Sequence, residues 1–255
     1  MKKPHKKLLP IERENKILER LRGSKILGIN ELHSLVPVSR MTLWRDIRRL
    51  SLKTNIRIFH GGVKLSDTPL EEQEDSLERR LSVNADKKVA AARKAVELIS
   101  EGQTVMLDAS SASNYLALEL DRFKRLKVVT NCVDIARALR SSPQIEVVLT
   151  GGLLKHETSS LVGPLALKSL EDHSADWLFF SATGMKDQNE VLDLNPLEIE
   201  MKRAMMKKSA KKALLFDTSK MTSRRGAHVL GRLSDFDAVV TEKSVWYPST
   251  EDLFK

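Results

Sequence analysis

The sequence predicts a two-domain protein of the α/β class: a small N-terminal unit of three helices and a β-hairpin, then a larger unit with a mostly parallel sheet flanked by helices. Three observations lead there. Formal charge is segregated: residues 1–66 hold 16 Lys and Arg against 5 Asp and Glu, whereas residues 67–255 hold 27 against 29, so the net charge of +9 resides in the first quarter. Residues 29–50 carry the apolar spacing of two short helices interrupted at Pro37. From Lys87 onward, short apolar runs alternate with helical stretches, the pattern of strands joined by crossover helices. A length of 255 residues suits a small domain plus one of about 170.

In chain order, a first helix is predicted from Pro10, tolerated at a helix start, through Ile17, Leu18 and Leu21 to Gly23, which suits a C-terminal cap. Asn30 is the expected cap of a second helix with Leu32, Leu35 and Val36 on one face, and Pro37 ends it. Ser39 is the expected cap of a third, in which Leu43, Ile47 and Leu50 share a face and Arg40, Thr42, Arg45, Arg48 and Arg49 are left to solvent. Such a face, starting at a helix N-terminus, suits a DNA major groove flanked by phosphates. An ordinary amphipathic helix with a solvated basic face has the same periodicity. What favours a nucleic-acid reader carrying a second function is the segregation of charge.

Residues 55–65 alternate as a strand, turn at Gly61 and Gly62 and resume as a strand, completing a winged helix-turn-helix over residues 1–66. Arg57, His60 and Lys64 then come within reach of the backbone or minor groove of a double-stranded DNA operator. For His60 a turn-stabilising role fits equally well. Residues 67–86, with Asp67, Glu71, Glu72, Glu74, Asp75, Glu78, Arg79 and Arg80 among few apolar positions, read as a charged linker. A partly helical lead into the second domain is equally consistent.

In residues 87–255 the candidate strands are Thr104 to Leu107, Lys127 to Thr130, Ile145 to Leu149, Trp177 to Phe180, Ala213 to Phe216 and Ala238 to Val240. Helices are expected at Lys88 to Ser100, Tyr115 to Leu120, Val133 to Arg140, Leu165 to Leu170 and Pro196 to Lys211. Small polar segments follow the strands: Asp108 to Ser113, Asn131, Gly151 and Gly152, Ser181 to Gly184, and Asp217 to Lys220. In an open parallel sheet the ligand crevice lies beyond the carboxyl ends of the strands, where these segments converge. Amides at Ser110, Ser111 and Ser113 suit an anion, Asp108 or Asn131 suits a hydroxyl-rich ligand, and Lys220 suits a phosphate. Any one of these residues is by itself an ordinary cap or turn. Their concurrence at five strand ends is what favours a small polar ligand.

Val38-Ser39-Arg40-Met41-Thr42-Leu43-Trp44-Arg45-Asp46-Ile47-Arg48-Arg49-Leu50, followed by Arg57-Ile58-Phe59-His60-Gly61-Gly62-Val63, resembles the DeoR-type family of bacterial sugar-metabolism regulators, usually repressors. The resemblance implies DNA-facing roles for Ser39, Thr42, Arg45 and Arg48. Trp44 stands where the family commonly has the first arginine of a pair, and its indole suits packing on the first helix as well as DNA. Pro37 stands where glycine is common. The resemblance continues through Leu107-Asp108, Thr130-Asn131, Gly151-Gly152, Leu161-Val162-Gly163-Pro164, Lys202-Arg203-Ala204-Met205 and Asp217-Thr218-Ser219-Lys220. It implies a sensor domain similar in fold to sugar-phosphate isomerases and CoA transferases, binding a phosphorylated sugar or related intermediate, with Lys202 and Lys220 in the matching motifs; Gly184 is a candidate ligand contact as part of the small polar segment after its strand. After Asp108 the family usually has x-Gly-Thr-Thr, whereas this chain has Ala109-Ser110-Ser111-Ala112.

The expected function is a DNA-binding transcriptional regulator, a repressor acting as a homo-oligomer and controlled by a metabolite. The competing class is an isomerase-like enzyme using Asp108, Glu198, Lys202, Asp217 and Lys220 for proton transfer. An N-terminal DNA reader, which an isomerase does not require, decides against it, and no metal-ligand cluster, nucleophile–base motif or cofactor signature is seen. The basic start is followed at once by Glu12, Arg13 and Glu14 rather than an apolar run, no stretch is long enough for a membrane span, and the single Cys132 can form no internal disulfide. These features point to the cytoplasm.

Overall fold

The computed structural model describes residues 9–38, 40–51, 54, 56–59, 62–65 and 76–248, which form two compact units dividing between Ser82 and Val83. The first unit contains α1 (Pro10–Ser24), β1 (Ile26–Gly28), α2 (Ile29–Leu35), α3 (Arg40–Ser51), β2 (Ile56–Phe59), β3 (Gly62–Leu65) and α4 (Leu77–Ser82). Ile17 and Leu21 of α1, Leu32 of α2, and Leu43, Ile47 and Leu50 of α3 close over one core with Ile56 and Val63 of the wing. Burying each such side chain contributes about 1.5–3 kcal/mol.

The wing has three strands in the order β1-β3-β2, all antiparallel. The sequence reading missed β1 because three residues are too few to show a period. Gly62 is required there, since a Cβ would lie 2.2 Å from the Leu27 carbonyl oxygen. Two expected caps are corrected. Asn30 lies inside α2, whose N-cap is Gly28, its amide donating to Glu31 Oε2 at 2.9 Å. Gly23 lies inside α1, which ends at Lys25 in the left-handed region (φ 57°), its amide bonded to the Leu21 carbonyl. Residues 67–75 of the expected linker lie outside the described residues. Its later part is helical in α4.

The second unit contains α5 (Ala85–Ala95), β4 (Thr104–Leu107), α6 (Ser111–Glu119), β5 (Leu126–Thr130), α7 (Val133–Leu139), β6 (Ile145–Leu149), β7 (Leu153–Lys155), β8 (Ser160–Val162), α8 (Pro164–Ser169) and β9 (Ala175–Phe180). It continues with β10 (Gly184–Lys186), β11 (Glu190–Asp193), α9 (Pro196–Lys208), β12 (Ser209–Leu215), β13 (His228–Arg232), β14 (Ala238–Val240) and β15 (Val245–Trp246). Seven strands form one sheet in the order β15-β14-β12-β9-β4-β5-β6, parallel throughout except for the β14–β15 edge pair. All six expected strands lie in it. β10-β11-β13 and the β7–β8 hairpin are small antiparallel additions.

One boundary was displaced by tertiary pairing. The helical pattern runs to Lys211, yet α9 stops at Lys208 because Ser209 and Lys211 pair with Ala175 and Trp177 of β9, and Ser209 Oγ turns back to the Met205 carbonyl (2.9 Å). At the other helices the shifts are local. α6 begins four residues before Tyr115 because Ser110 caps it, its Oγ accepting from the Ser113 amide at 3.1 Å.

Candidate functional site

In the first unit, α3 is anchored by two devices. Leu43, Ile47 and Leu50 are buried, and Asp46, fully buried beside them, accepts from Arg13 of α1 at 2.6 Å (Nε to Oδ2) and 3.1 Å (Nη2 to Oδ1). This fork-to-fork pair fixes the rotation of α3 against α1 and raises the Arg13 pKa, first through the hydrogen bond that Arg13 donates to Asp46. It was not foreseen, because the partners are 33 residues apart. Thr42 is half-buried. The backbones of Arg40, Trp44, Arg45, Arg48 and Arg49 belong to α3 and that of Arg57 to β2, but their side chains lie outside the described residues, as do Ser39 and His60 entirely.

In the second unit, β4, β5, β9 and β12 run parallel, so Asp108, Asn131, Ser181 and Asp217 all emerge at one edge. Asp108, 1 % exposed, is the hub. Its Oδ1 accepts from Ser113 Oγ (2.6 Å) and the Ser110 amide (3.1 Å), and its Oδ2 from the Ser181 amide (3.2 Å). Lys202 Nζ, brought in by α9, lies 3.4 Å from Asp108 Oδ2 and donates to Asp193 Oδ2. Glu198, one turn earlier on α9, accepts from Ser160 Oγ (3.0 Å), which is bonded to Thr158 Oγ1 (2.7 Å). Burial alone would lower the Lys202 pKa. The charges of Asp193, Asp108 and Glu198 and the hydrogen bond to Asp193 outweigh it, and the ammonium is held well above the usual lysine range.

Asn131 completes the cluster. Its Nδ2 donates to the Leu161 carbonyl (3.0 Å), while its buried Oδ1 has no partner among the described residues. A buried acceptor left unmet costs about 1–3 kcal/mol, so such an atom suits a ligand that donates to it. Asp108, Ala109, Asn131, Glu198, Met201 and Lys202 enclose about 10 Å³, room for about one water. A sugar-sized guest therefore requires α9 to yield. The opposite face of α9 lines a groove of about 640 Å³ with Leu167 of α8 and Val229 of β13. Its charged members Glu200, Arg203 and Lys207 are exposed, and it holds no buried polar cluster of the kind that orients a small ligand.

Of the expected ligand-binding residues, Asp108, Asn131 and Lys202 line the crevice and Ser110 and Ser113 back it through Asp108. Ser111 is buried at the first position of α6. The anion-binding role expected of the amides is reduced, since those of Ser110 and Ser113 are already bonded to Asp108 and Ser110. Lys220 is one residue removed, donating to Ser181 Oγ (2.9 Å) and the Ala182 carbonyl (2.7 Å). Gly151, Gly152 and Gly184 are not in the lining. Gly152, at φ 126°, packs closely on β8 and α8, where a Cβ would lie 2.7 Å from the Val162 carbonyl oxygen and 2.8 Å from Ala166 Cβ, and one on Gly184 would lie 2.2 Å from the Ser223 carbonyl oxygen. The sequence reading missed Asp193 and Ser160 as site residues, named Ser181 only within the Ser181 to Gly184 segment, and met Glu198 only in the enzyme alternative.

A family model described as the DeoR-like helix-turn-helix domain matches residues 13–68, and one described as the DeoR C terminal sensor domain matches residues 83–243. The chain belongs to the DeoR family. This DeoR-family chain is 33% identical over 238 residues to the HTH-type transcriptional regulator GolR of Listeria innocua, covering 93% of this chain and 92% of that one. It is 27% identical to a putative aga operon transcriptional repressor of Escherichia coli O157:H7 (96% and 90% covered) and 28% identical to the L-fucose operon activator of E. coli K12 (91% and 94%). Among solved structures, ribose 5-phosphate isomerase A from Neisseria gonorrhoeae matches with a TM-score of 0.40 and 19% identity over 55% of this chain and 54% of that one. A 4-hydroxybutyrate CoA-transferase from Porphyromonas gingivalis matches with a TM-score of 0.41 and 15% identity, covering 66% and 49%. The chain is thus a DNA-binding transcriptional regulator with a DeoR sensor domain, and among its described residues no helix is long and apolar enough to cross a membrane.

Proposed function

We propose that this regulator is a repressor of carbohydrate-metabolism genes whose affinity for a double-stranded DNA operator changes when a phosphorylated sugar or related metabolite occupies the Asp108–Asn131–Lys202 crevice. Residues 1–66 read DNA, residues 67–86 link, and residues 87–255 sense. The observation that carries the reading is the unpartnered, buried Asn131 Oδ1 beside three carboxylates and one ammonium at the strand ends. Such a cluster is rich in acceptors, so it suits the donating hydroxyls of a sugar. Its three carboxylates repel a phosphate, which is better placed toward Lys220.

The protein works in the cytoplasm as a homo-oligomer, because a helix-turn-helix reads two half-sites when two copies present α3 about one DNA turn apart. It is a regulator rather than an enzyme, in keeping with the relatives named above. The test is thermal melting of the intact protein with a panel of aldose and ketose phosphates. A ligand bound only by the folded state stabilises it by RT ln(1 + [L]/Kd), about 2.7 kcal/mol at a hundred times Kd. No shift across the panel would remove the metabolite-sensing reading.

A further inference from the structure

The loop that carries Lys220 is tied to the first residues of the sensor unit. Val83 opens that unit, and the chain before it leads back to the helix-turn-helix. Asn84, in the left-handed region at φ 52°, donates from Nδ2 to Asp217 Oδ1 (3.3 Å) and Ser219 Oγ (3.0 Å). Asparagine tolerates that backbone better than most residues, and its side chain here reaches the Lys220 loop. Lys87, in the first turn of α5, donates to Thr218 Oγ1 (3.2 Å) and pairs with Glu242 Oε1 (3.4 Å). Glu242 accepts from the amide and hydroxyl of Thr218 at 3.0 and 2.5 Å. At the other end of the loop, Lys220 donates to Ser181 Oγ and the Ala182 carbonyl, and the Ser181 amide donates to Asp108. Hydrogen bonds at either end of the short backbone stretch 217–220 therefore join the crevice carboxylate to Asn84, the second residue of the sensor unit.

We propose that Asn84 and Lys87 are coupling residues, which pass occupancy of the crevice to the linker and so to the DNA-reading domain. The proposal rests on the effector reading above. An anionic ligand group that takes the Lys220 ammonium replaces its bonds to Ser181 and Ala182. Residues 217–220 then shift, the hold on Asn84 and Lys87 changes, and the root of the linker changes with it. A ligand can move such an element only through contacts that differ between its two arrangements, and Lys220 supplies that difference.

The experiment uses the intact protein, a duplex that it selects from a random-sequence pool, and ribose 5-phosphate, fructose 6-phosphate and their amino and deoxy analogues as probes. Asn84→Gly keeps the backbone freedom and deletes the side chain. Lys87→Met alters a side chain 39% exposed, so the fold tolerates it. In both variants a probe that shifts melting of the parent still does so, with affinity within about 2-fold, while its effect on DNA affinity, typically about 5–150-fold for coupled sites, falls below about 2-fold. A merely structural role would not separate the two readouts. If the variants bind the probe and their DNA affinity responds as the parent's does, the coupling is refuted and the effector reading survives. If they lose the probe, the residues belong to the pocket and the proposal is wrong. If no probe shifts melting of the parent, the effector reading falls and this inference with it.

Discussion

Lys202→Met tests the electrostatics of the crevice directly. Lys202 is 6 % exposed, and its ammonium lies 3.4 Å from Asp108 and in contact with Asp193. At an effective dielectric of about 20, one pair at that separation has about 5 kcal/mol of gross Coulomb attraction, much of it offset by desolvation. Methionine preserves the apolar stem but leaves Asp108, Asp193 and Glu198 without their cation, and breaking a buried pair from one side costs about 3–5 kcal/mol. The crowded carboxylates then hold protons more tightly, because like charges disfavour ionisation. A carboxyl whose folded pKa is raised binds more protons in the native state, so the variant's stability falls as pH rises and its deficit is larger at pH 8 than at pH 5. In the parent the Lys202 pKa is itself raised, so its contribution is complete below about 10.4, the ordinary lysine value, and is lost only as pH climbs through the higher folded value. That group leaves the parent flat between pH 5 and pH 8. Urea unfolding at both values, followed by tryptophan fluorescence with Trp177 buried in the sheet, reads the difference. An equal deficit at the two pH values, or one below about 1 kcal/mol, would refute the reasoning.

DNA affinity should fall steeply with salt, log K dropping by about 0.9 per phosphate neutralised for each unit of log salt, and a flat dependence would remove phosphate contact by residues 1–66. Arg45→Ala and Arg48→Ala should weaken DNA binding without lowering the melting temperature, whereas Leu43→Ala or Ile47→Ala, at fully buried positions, should cost about 2–5 kcal/mol; equal destabilisation by all four would mean that the face of α3 is reversed. Asp46→Ala strands a buried guanidinium and should cost about 3–5 kcal/mol in urea unfolding, and a loss under about 1 kcal/mol would show the Arg13 pair to be dispensable. Burial raises the Cys132 thiol pKa, so iodoacetamide at pH 8 should label the native protein far more slowly than the urea-unfolded one, and equal rates would contradict the buried site.

How far the fold was legible follows from the range of the forces that set each element. The strands of the central sheet are apolar on both faces, so β4, β5 and β14 announce themselves in runs of three to five residues. β1, β7, β8, β10 and β11 are three or four residues long, too short to show a period: β1 forms because β3, far along the chain, offers hydrogen bonds, whereas β7–β8 and β10–β11 close as short hairpins. The end of α9 shows the same contest: residues 209–211 continue a helical pattern, and only β9, more than thirty residues upstream, draws them into the sheet.

The site divides along the same line. Asp108 and Asn131 were legible because each directly follows a legible strand, and a parallel sheet brings such positions together whatever the connections between them. Lys202 came through the family resemblance and not through any local signal, since a lysine within the amphipathic α9 reads as solvated. Asp193 and Ser160 sit on short antiparallel strands that the sequence did not disclose, so no spacing could place them beside Lys202. The net charge of the crevice depends on Asp193 together with Glu198, which Ser160 holds. Counting only Asp108 and Lys202 makes it neutral and open to a phosphate, whereas adding Asp193 and Glu198 makes it acidic, directs it toward hydroxyl donors and leaves the anion to Lys220. In the proposed reading it is therefore Asp193 and Glu198 that turn a metabolite's hydroxyls toward the crevice and its anionic group toward Lys220.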